Sequence, residues 1–370
     1  MSMKKIFTAL FLTLVGYFMF WPVPIKPESW DAPEAPGYTG PHAPNKRLAG
    51  LRLITLNDEK GPEHVALGKD GKLYASVASG KILRMNTDGA MLEVFTHTGG
   101  RVLGFDFDSD SNLIAADAML GILSITPKGT IKILVNHING DPIRYPNSVV
   151  VASNGMIYIT DSSGRFAPSD WGGTFEASML DIVEQSATGR VLEYHPRLNK
   201  TRIIAKGLSF ANGITLSDDE QSLFVNETGR YRVWKIAVSA DNLDISQGSP
   251  LANIVLDNLP GYPDNLMRGD EGRIWLGFAK PRNAIIDFMA DKPLLRKIVL
   301  RFPRALWPMP KTYSHVMAFT EEGKIAVDLQ DPAGTYPETT SVTETDDRLY
   351  IQSLHANNLG WLAKRTILAP

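Results

Sequence analysis

Four oxygen-bearing side chains stand at one common distance from a turn in four separate segments of the sequence. Each lies seven residues before an acidic or amide residue that opens a turn, with a short apolar run between the two. The four pairs are Glu63 and Asp70, Asn147 and Asn154, Asn212 and Asp219, and Asp264 and Glu271. Equivalent positions of a repeat take equivalent places in a fold, so in a closed ring these side chains would meet at the axis.

Two carboxylates and two amide oxygens at one point suit a hard divalent cation. Calcium takes about six to eight oxygen ligands in flexible geometry, and Asn265 and water can complete such a shell. The sequence offers no thiolate and no histidine-rich set for zinc or copper, while magnesium and manganese remain alternatives. We therefore predict a Ca²⁺ site formed by Glu63, Asn147, Asn212 and Asp264.

Turn chemistry is the alternative explanation of these residues. Asn and Asp beside Gly often occupy turns because they tolerate left-handed backbone and cap local groups. That would account for Asn212 before Gly213, but less well for Glu63 and Asn147, which lead directly into apolar strands. A metal at this place could also be purely structural and tie the repeats together.

The elements that carry these residues follow a repeating turn-and-strand pattern. The turns recur at Asp70, Asp110, Asn154, Asp219, Glu271 and Asp346. Four strands in each of six units predict an all-β fold, a six-bladed β-propeller spanning residues 51–370. A strand near residues 51–56 is expected to close the ring as the outer strand of the last unit.

Two long insertions interrupt the repeats, at residues 165–187 and 279–311. The second is apolar at helical spacing and carries Arg296, Lys297, Arg301 and Arg304. It is either a cap over one end of the ring or, at residues 284–307, a basic amphipathic segment on a membrane surface; both can hold together.

The N-terminus predicts a membrane anchor. Lys4 and Lys5 precede an uncharged run over residues 6–21 that ends in aromatic residues. We interpret residues 1–25 as an uncleaved, single-pass signal-anchor with the body on the extracytoplasmic side, periplasmic, lumenal or extracellular. A cleaved secretory signal and a buried apolar strand are the alternatives. Residues 26–50, rich in proline, are expected to form an extended linker.

Composition excludes several classes of function. The chain has 370 residues, a net charge of −2 and no cysteine. Disulfides, thiolate catalysis and Cys-ligated zinc are therefore excluded, and nothing indicates nucleic-acid binding.

Five segments resemble the superfamily of gluconolactonases, paraoxonases and strictosidine synthases. They are GPEHVAL, YPNSVVVASNGMIYITDSS, GRVLEYHP, SFANGITLSDDEQSLFVNE and LPGYPDNLMRGDEGRIWLGF. The resemblance covers roughly residues 50–365 and is closest to a membrane-anchored strictosidine-synthase-like branch, which shares the stretch DFMADKP…RKIVLRF. It implies a six-bladed propeller and a calcium-type site at the same four residues. For lactonase and esterase members it also implies hydrolysis at that metal.

The sequence differs from that of the paraoxonases at two functional positions. Paraoxonases carry an acidic pair where this chain has Glu63 and His64, and a catalytic histidine where it has Leu103. Their histidine-dyad mechanism is therefore not expected here. Strictosidine synthases do not depend on a metal, whereas this chain keeps a full oxygen set.

The leading hypothesis is a calcium-dependent hydrolase of small-molecule carboxylic esters or lactones. The cation would polarise the carbonyl, and Asp264, Glu344 or His355 would act as the base. Glu344 resembles in position the catalytic glutamate of strictosidine synthases, but it could equally be a solvated rim residue. The alternatives are an amine–aldehyde condensing enzyme that uses Glu344, and a non-catalytic binding propeller. Aromatic residues available at the channel mouth are Tyr145, Phe166, Trp171, Phe210, Tyr262 and Phe278.

Overall fold

Each predicted repeat folds as one antiparallel sheet, and the first strand of each sheet lies nearest the ring axis. These sheets are six blades in the computed structural model, which describes residues 3–368. From the axis outward, the strands of the first three blades are His64–Leu67, Leu73–Ser76, Lys81–Met85 and Glu93–His97 (blade 1); Val102–Phe107, Leu113–Asp117, Gly121–Ile125 and Ile131–Val135 (blade 2); and Pro146–Val151, Ile157–Asp161, Gly189–His195 and Lys200–Leu208, with Leu243–Asp244 added in parallel (blade 3). Those of the other three are Ala211–Leu216, Ser222–Glu227, Arg232–Ala237 and Ala252–Leu256 (blade 4); Gly261–Arg268, Ile274–Pro281, Ser314–Phe319 and Ile325–Asp331 (blade 5); and Thr339–Glu344, Arg348–Ser353, Asn358–Ala363 and Arg52–Thr55 (blade 6). A short hairpin, His137–Ile138 with Asp141–Pro142, lies outside the blades. The prediction of a six-bladed β-propeller is confirmed.

The two ends of the propeller are joined in one sheet. Strand Arg52–Thr55 pairs antiparallel with Asn358–Ala363, so that residues before the first blade complete the last one. This is the closing strand expected from the sequence. The ring is therefore closed by hydrogen bonds between strands from the two ends of the chain.

The hydrophobic core lies in layers between neighbouring blades. Phe224 of blade 4, for example, packs with Leu276 and Phe319 of blade 5. Similar apolar layers fill each of the other blade interfaces. Because every strand buries alternate residues on both faces of its sheet, the apolar spacing read in the sequence becomes this set of layers.

The two insertions form a cap over one mouth of the ring. The first contains helices α2 (Pro168–Trp171) and α3 (Thr174–Glu184), and the second α4 (Ala284–Phe288), α5 (Pro293–Leu300) and a short 3₁₀ turn, Arg304–Leu306. We call residues 165–187 and 282–310 the cap. Buried Arg296 ties its halves together, since the guanidinium donates to the carbonyls of Val183 at 2.8 Å and Ala290 at 2.9 Å. Three further 3₁₀ turns, Gly40–His42, Thr228–Arg230 and Ile245–Gln247, and a C-terminal helix, Lys364–Ile367, complete the elements.

The N-terminal residues form an apolar helix, α1 (Met3–Phe20), which lies outside the propeller core. Its 18 residues make it long and apolar enough to span a membrane. The segment that follows holds no strand before Arg52, and it packs on the body, where Ile25, His42 and Leu48 are buried. The expected linker is therefore extended but docked on the propeller.

Candidate functional site

The innermost strands carry a distortion at the positions singled out in the sequence. In blades 2 to 6 the pairing of the first strand with the second slips near the start of that strand. The slipped stretches contain Leu103, Asn147, Asn212, Asp264 and Thr340 in turn. A bulge places an extra residue in one strand and redirects its side chain. The backbone itself thus turns these side chains toward the axis.

Gly213 shows why an Asn-Gly pair stands in blade 4. It lies within the strand Ala211–Leu216, and a Cβ at this position would meet the backbone nitrogen of Leu266 at 2.3 Å. Glycine therefore lets the innermost strands of blades 4 and 5 approach each other. The turn interpretation of Asn212 is wrong, since this residue lies inside a strand.

The structure brings the four predicted ligands into one cavity. We call the centre of the ring, where the innermost strands begin, the hub. A space of about 450 Å³ lies between the hub and the cap, and it is lined by Glu63, Asn147, Asn212 and Asp264. Each side chain is buried, with 4% of Glu63 and 6% of Asp264 exposed. Asn212 Nδ2 donates to Asp264 Oδ1 at 2.8 Å, which joins blades 4 and 5 at the hub.

Burial acts on both hub carboxyls, and the charge of Glu63 acts in addition on Asp264. Burial, followed by the charge of Glu63, raises the pKa of Asp264 well above its ordinary value, against the hydrogen bond from Asn212. Burial likewise raises the pKa of Glu63, although Arg101 opposes the shift. Asn212 Oδ1 and Asn265 Oδ1 are buried and accept no hydrogen bond within residues 3–368. Two crowded acids beside carbonyl oxygens that lack a donor fit a hard divalent cation.

Arg101 is a hub residue that the sequence reasoning missed. Its guanidinium forms a buried ion pair with Glu63, and its Nη1 has no partner within the described residues. Arg101 therefore already supplies one positive charge at the place proposed for the cation. Its position two residues before Leu103, in the inner strand register, was the available signal.

A second group of charged residues lies at the edge of the same cavity. His355 Nδ1 is hydrogen-bonded to Glu338 Oε2, and Lys280 forms an ion pair with Oε1 of the same carboxylate. All three residues line the cavity. The hydrogen bond to Glu338 raises the pKa of His355 above its ordinary value. Burial disfavours the charged form of Glu338, but the bonds from His355 and Lys280 outweigh it and lower the pKa of that carboxyl.

Glu344 does not belong to this site, contrary to its prediction as a base. Its carboxylate is held by Arg273 Nη2 at 2.8 Å, Trp275 Nε1 at 2.7 Å and Lys364 Nζ at 3.0 Å, and it is absent from the cavity lining. It ends the inner strand whose other end adjoins Glu338. The carboxylate that blade 6 presents to the cavity is Glu338, which the sequence reasoning missed; its place just before the predicted axial residues 339–341 was the signal.

Comparison with known proteins identifies the family. The family signature "Strictosidine synthase-like, N-terminal" matches residues 40–85, and "Strictosidine synthase" matches residues 147–241. An adipocyte plasma membrane-associated protein of Salmo salar is 30% identical, over 94% of this chain and 86% of that protein. The chain belongs to the strictosidine synthase-like family. A further member, the Arabidopsis thaliana protein strictosidine synthase-like 10, is 28% identical over 84% of this chain and 87% of its own length.

Solved structures of other proteins share the propeller. A gluconolactonase from Xanthomonas campestris superposes with a TM-score of 0.59 at 20% identity, covering 92% of this chain and 96% of its own. A calcium-binding protein, regucalcin, from Agrobacterium tumefaciens gives a TM-score of 0.57 at 14% identity, covering 84% of this chain and 93% of its own. These likenesses confirm the fold of this strictosidine synthase-like protein.

The walls of the cavity are largely apolar. Tyr145, Phe210 and Tyr262 line it as expected, together with Leu103 at the position where paraoxonases place a histidine. Phe166, Trp171 and Phe278 lie outside the lining, so half of the aromatic set was misplaced. The cavity of this strictosidine synthase-like protein therefore has charged residues at the hub and largely apolar side walls.

Proposed function

We propose that this protein hydrolyses carboxylic esters or lactones at its hub with the help of a divalent cation. We expect this cation to be Ca²⁺. The observation that carries the proposal is that two buried acids, Glu63 and Asp264, line one cavity with Asn212, whose Oδ1 accepts no hydrogen bond within the described residues. Asn147 on the same cavity wall would complete the protein's ligand set. When bound, the cation supplies a Lewis acid for the carbonyl oxygen of the substrate.

The chain's own residues prepare the site for that chemistry. Asn212 fixes the Asp264 carboxylate through its 2.8 Å hydrogen bond. The cap and the apolar walls limit the water that reaches the hub, which strengthens electrostatic interactions there. A substrate carbonyl would therefore meet a preorganised hub with few competing waters.

We assign the proton transfer to His355, which lines the cavity. Its Nδ1 is held by Glu338, so its Nε2 is the atom that can take a proton from water and return it to the leaving group. Asp264 is the alternative base, through the carboxylate oxygen that Asn212 does not contact.

A panel of aryl esters and lactones tests the proposal. The full chain should hydrolyse at least one member, and excess chelator or Asp264→Asn should remove most of that turnover. Asp106→Asn is a matched control, because Asp106 is a half-buried acid near the end of the innermost strand of blade 2 and does not line the cavity. Undiminished turnover in metal-free protein would contradict the proposal.

A condensing enzyme remains a second candidate because Glu338, an acid beside Lys280, faces the cavity. That reaction needs no metal, so chelation would leave it intact and Glu338→Gln would abolish it. The binding-propeller alternative predicts that chelation lowers the melting temperature of a protein with no turnover in either assay.

We also propose that the body lies on the extracytoplasmic side of the membrane, since Lys4 and Lys5 lie in the first turn of α1, before its uncharged run. The chain lacks cysteine, so one engineered cysteine reports sidedness cleanly. Leu198→Cys, on an exposed turn, should react with a membrane-impermeant thiol reagent on intact cells. Reaction only after lysis would place the body in the cytoplasm.

A further inference from the structure

The cap carries an apolar surface that no part of residues 3–368 covers. Phe288 is 61% exposed and Leu306 67% exposed. Four neighbours in the cap sequence share this exposure: Ile285, Leu294, Phe302 and Met309. Single exposed apolar residues are ordinary on soluble proteins, but such a group within one segment of the cap marks a contact surface.

The basic residues of this segment do not make it a solvated basic face. Arg296 and Arg301, two of the four basic residues in the helical pattern, are buried and bonded to backbone carbonyls. Lys297 is half-buried, and exposed Arg304 forms an ion pair with Glu176 at 3.2 Å. Hydrophobic contact therefore dominates over charge on this side of the cap.

The same surface adjoins the membrane helix directly. Arg301 donates to the carbonyls of Trp21 at 2.7 Å and Phe18 at 2.8 Å, and the hydroxyl of Tyr17 donates to the Arg301 carbonyl at 2.9 Å. The ring centroids of Phe18 and Phe302 lie 4.5 Å apart. The end of α1 is thus fastened to the cap. A bilayer around α1 would border on the exposed apolar residues.

The mouth of the hub cavity opens within this surface. Phe175 on α3 and Met309 near the end of the second insertion both line the cavity and are both exposed, at 45% and 46%. From there toward the hub, the wall continues with Met179, Ile182 and Ile286. A continuous apolar path therefore leads from the cap surface to Asp264 and Glu63.

We propose that the cap rests in the lipid interface and that the hub receives amphipathic esters from the bilayer itself. The substrate class is an ester with a long apolar chain, whose chain lies along the cap wall and whose carbonyl reaches the hub. The membrane contact stands by itself, whereas the substrate class rests on the proposed hydrolase function.

Site-directed labelling tests the membrane contact without any activity. Single-cysteine variants Phe288→Cys and Leu306→Cys of the full chain are spin-labelled in phosphatidylcholine vesicles, with Leu198→Cys as control. Leu198 is 60% exposed like the cap residues, but it lies on the outer turn of blade 3. We expect labels at 288 and 306 to be about tenfold less accessible than the label at 198 to a water-soluble paramagnetic reagent, and more accessible to oxygen. Equal access at all three positions would overturn the proposed contact.

A pair of substrates tests the delivery of lipid. Leu306→Glu and Phe288→Glu should reduce the turnover of a long-chain aryl ester embedded in vesicles by about tenfold. They should leave a short-chain, water-soluble aryl ester unchanged, and Leu198→Glu should change neither. Equal turnover of the embedded ester in wild type and cap variants would overturn the proposed delivery of esters from the bilayer to the hub. Absence of turnover on both esters in the wild type would instead overturn the hydrolase function, and labelling would still decide the membrane contact.

Discussion

At the scale of single residues, the hub is set by competition for the Glu63 carboxylate. The buried guanidinium of Arg101 is paired with it, while Asp264 lies near enough for the charge of Glu63 to raise its pKa. A buried charge must be paired or neutralised, because desolvation makes an isolated charge costly. Arg101 and a divalent cation are thus alternative partners of one acid.

Removing Arg101 should strengthen cation binding. In Arg101→Gln, Glu63 loses its competing partner and a positive charge leaves the hub, so we expect the Kd for Ca²⁺ to fall by about tenfold. Isothermal calorimetry on the full chain measures this. Arg84→Gln removes an ion pair with Glu93, 2.6 Å long, in the outer part of blade 1 and should leave the Kd unchanged. Weaker binding in Arg101→Gln would show that the guanidinium supports the ligand set.

His355 should give the turnover a characteristic pH dependence. Its neutral form is the base, and the bond to Glu338 raises its pKa above the ordinary value of about 6.5. Turnover should therefore be low at acid pH and rise through a midpoint above that value. Glu338→Gln removes the negative partner and should move the midpoint down, as a pH–rate profile of kcat/KM would show. A midpoint that stays in place would exclude His355 as the base.

At the scale of elements, the bulges in the innermost strands turn a regular repeat into a site. Regular pairing alternates side chains between the faces of a blade, whereas a slip redirects one residue. The sequence predicted the equal register of Asn147, Asn212 and Asp264, but no residue pattern revealed the slip. Hydrogen bonds between blades accompany the slip, as where Thr160 Oγ1 of blade 3 donates to the carbonyl of Asn212 in blade 4 at 2.6 Å, and a reading of single strands does not include them.

Gly213 should be sensitive to one added methyl group. In Gly213→Ala the new Cβ meets Leu266 N at 2.3 Å, so the inner strands of blades 4 and 5 must separate. We expect a loss of about 1–3 kcal/mol in the free energy of unfolding, as for overpacked cores. Chemical denaturation of the full chain in detergent measures it. Gly50→Ala is the control, because no atom lies within 4 Å of a Cβ there, and equal stability of the two variants would refute the close approach.

At the scale of the whole molecule, closure of the ring couples the chain's two ends. Ile54 and Leu53 are neighbours on the closing strand, yet Ile54 is 6% exposed and Leu53 57% exposed. Since Ile54 packs with Tyr350 and Leu359 of blade 6, its side chain helps hold the ring shut.

Truncation of these two neighbours should therefore destabilise the protein to very different extents. Ile54→Ala should lower the free energy of unfolding by about 2–5 kcal/mol, and Leu53→Ala by less than about 0.5 kcal/mol. Thermal unfolding of the full chain in detergent distinguishes them. Similar melting temperatures would show that closure contributes little to stability.

The fold was predictable because the same turn-and-strand pattern recurs along the sequence. Turn residues such as Asp70 and Asn154 recur in register, and that register located Glu63 and Asp264 at the hub. The docking of residues 22–48 and the ion pair of Arg101 were not predictable, since they depend on partners distant in sequence. Glu344 was misplaced because a short acidic run does not indicate which carboxylate reaches the cavity.

A calcium titration of the metal-stripped full chain tests the central claim most directly. Binding heat and turnover of a short-chain aryl ester are followed in the same preparation, with Asp264→Asn alongside. We predict one Ca²⁺ bound per chain, turnover that appears with the same midpoint, and a Kd about tenfold or more weaker in the variant. Absence of binding, or turnover that does not depend on the added cation, would contradict a catalytic cation at the hub.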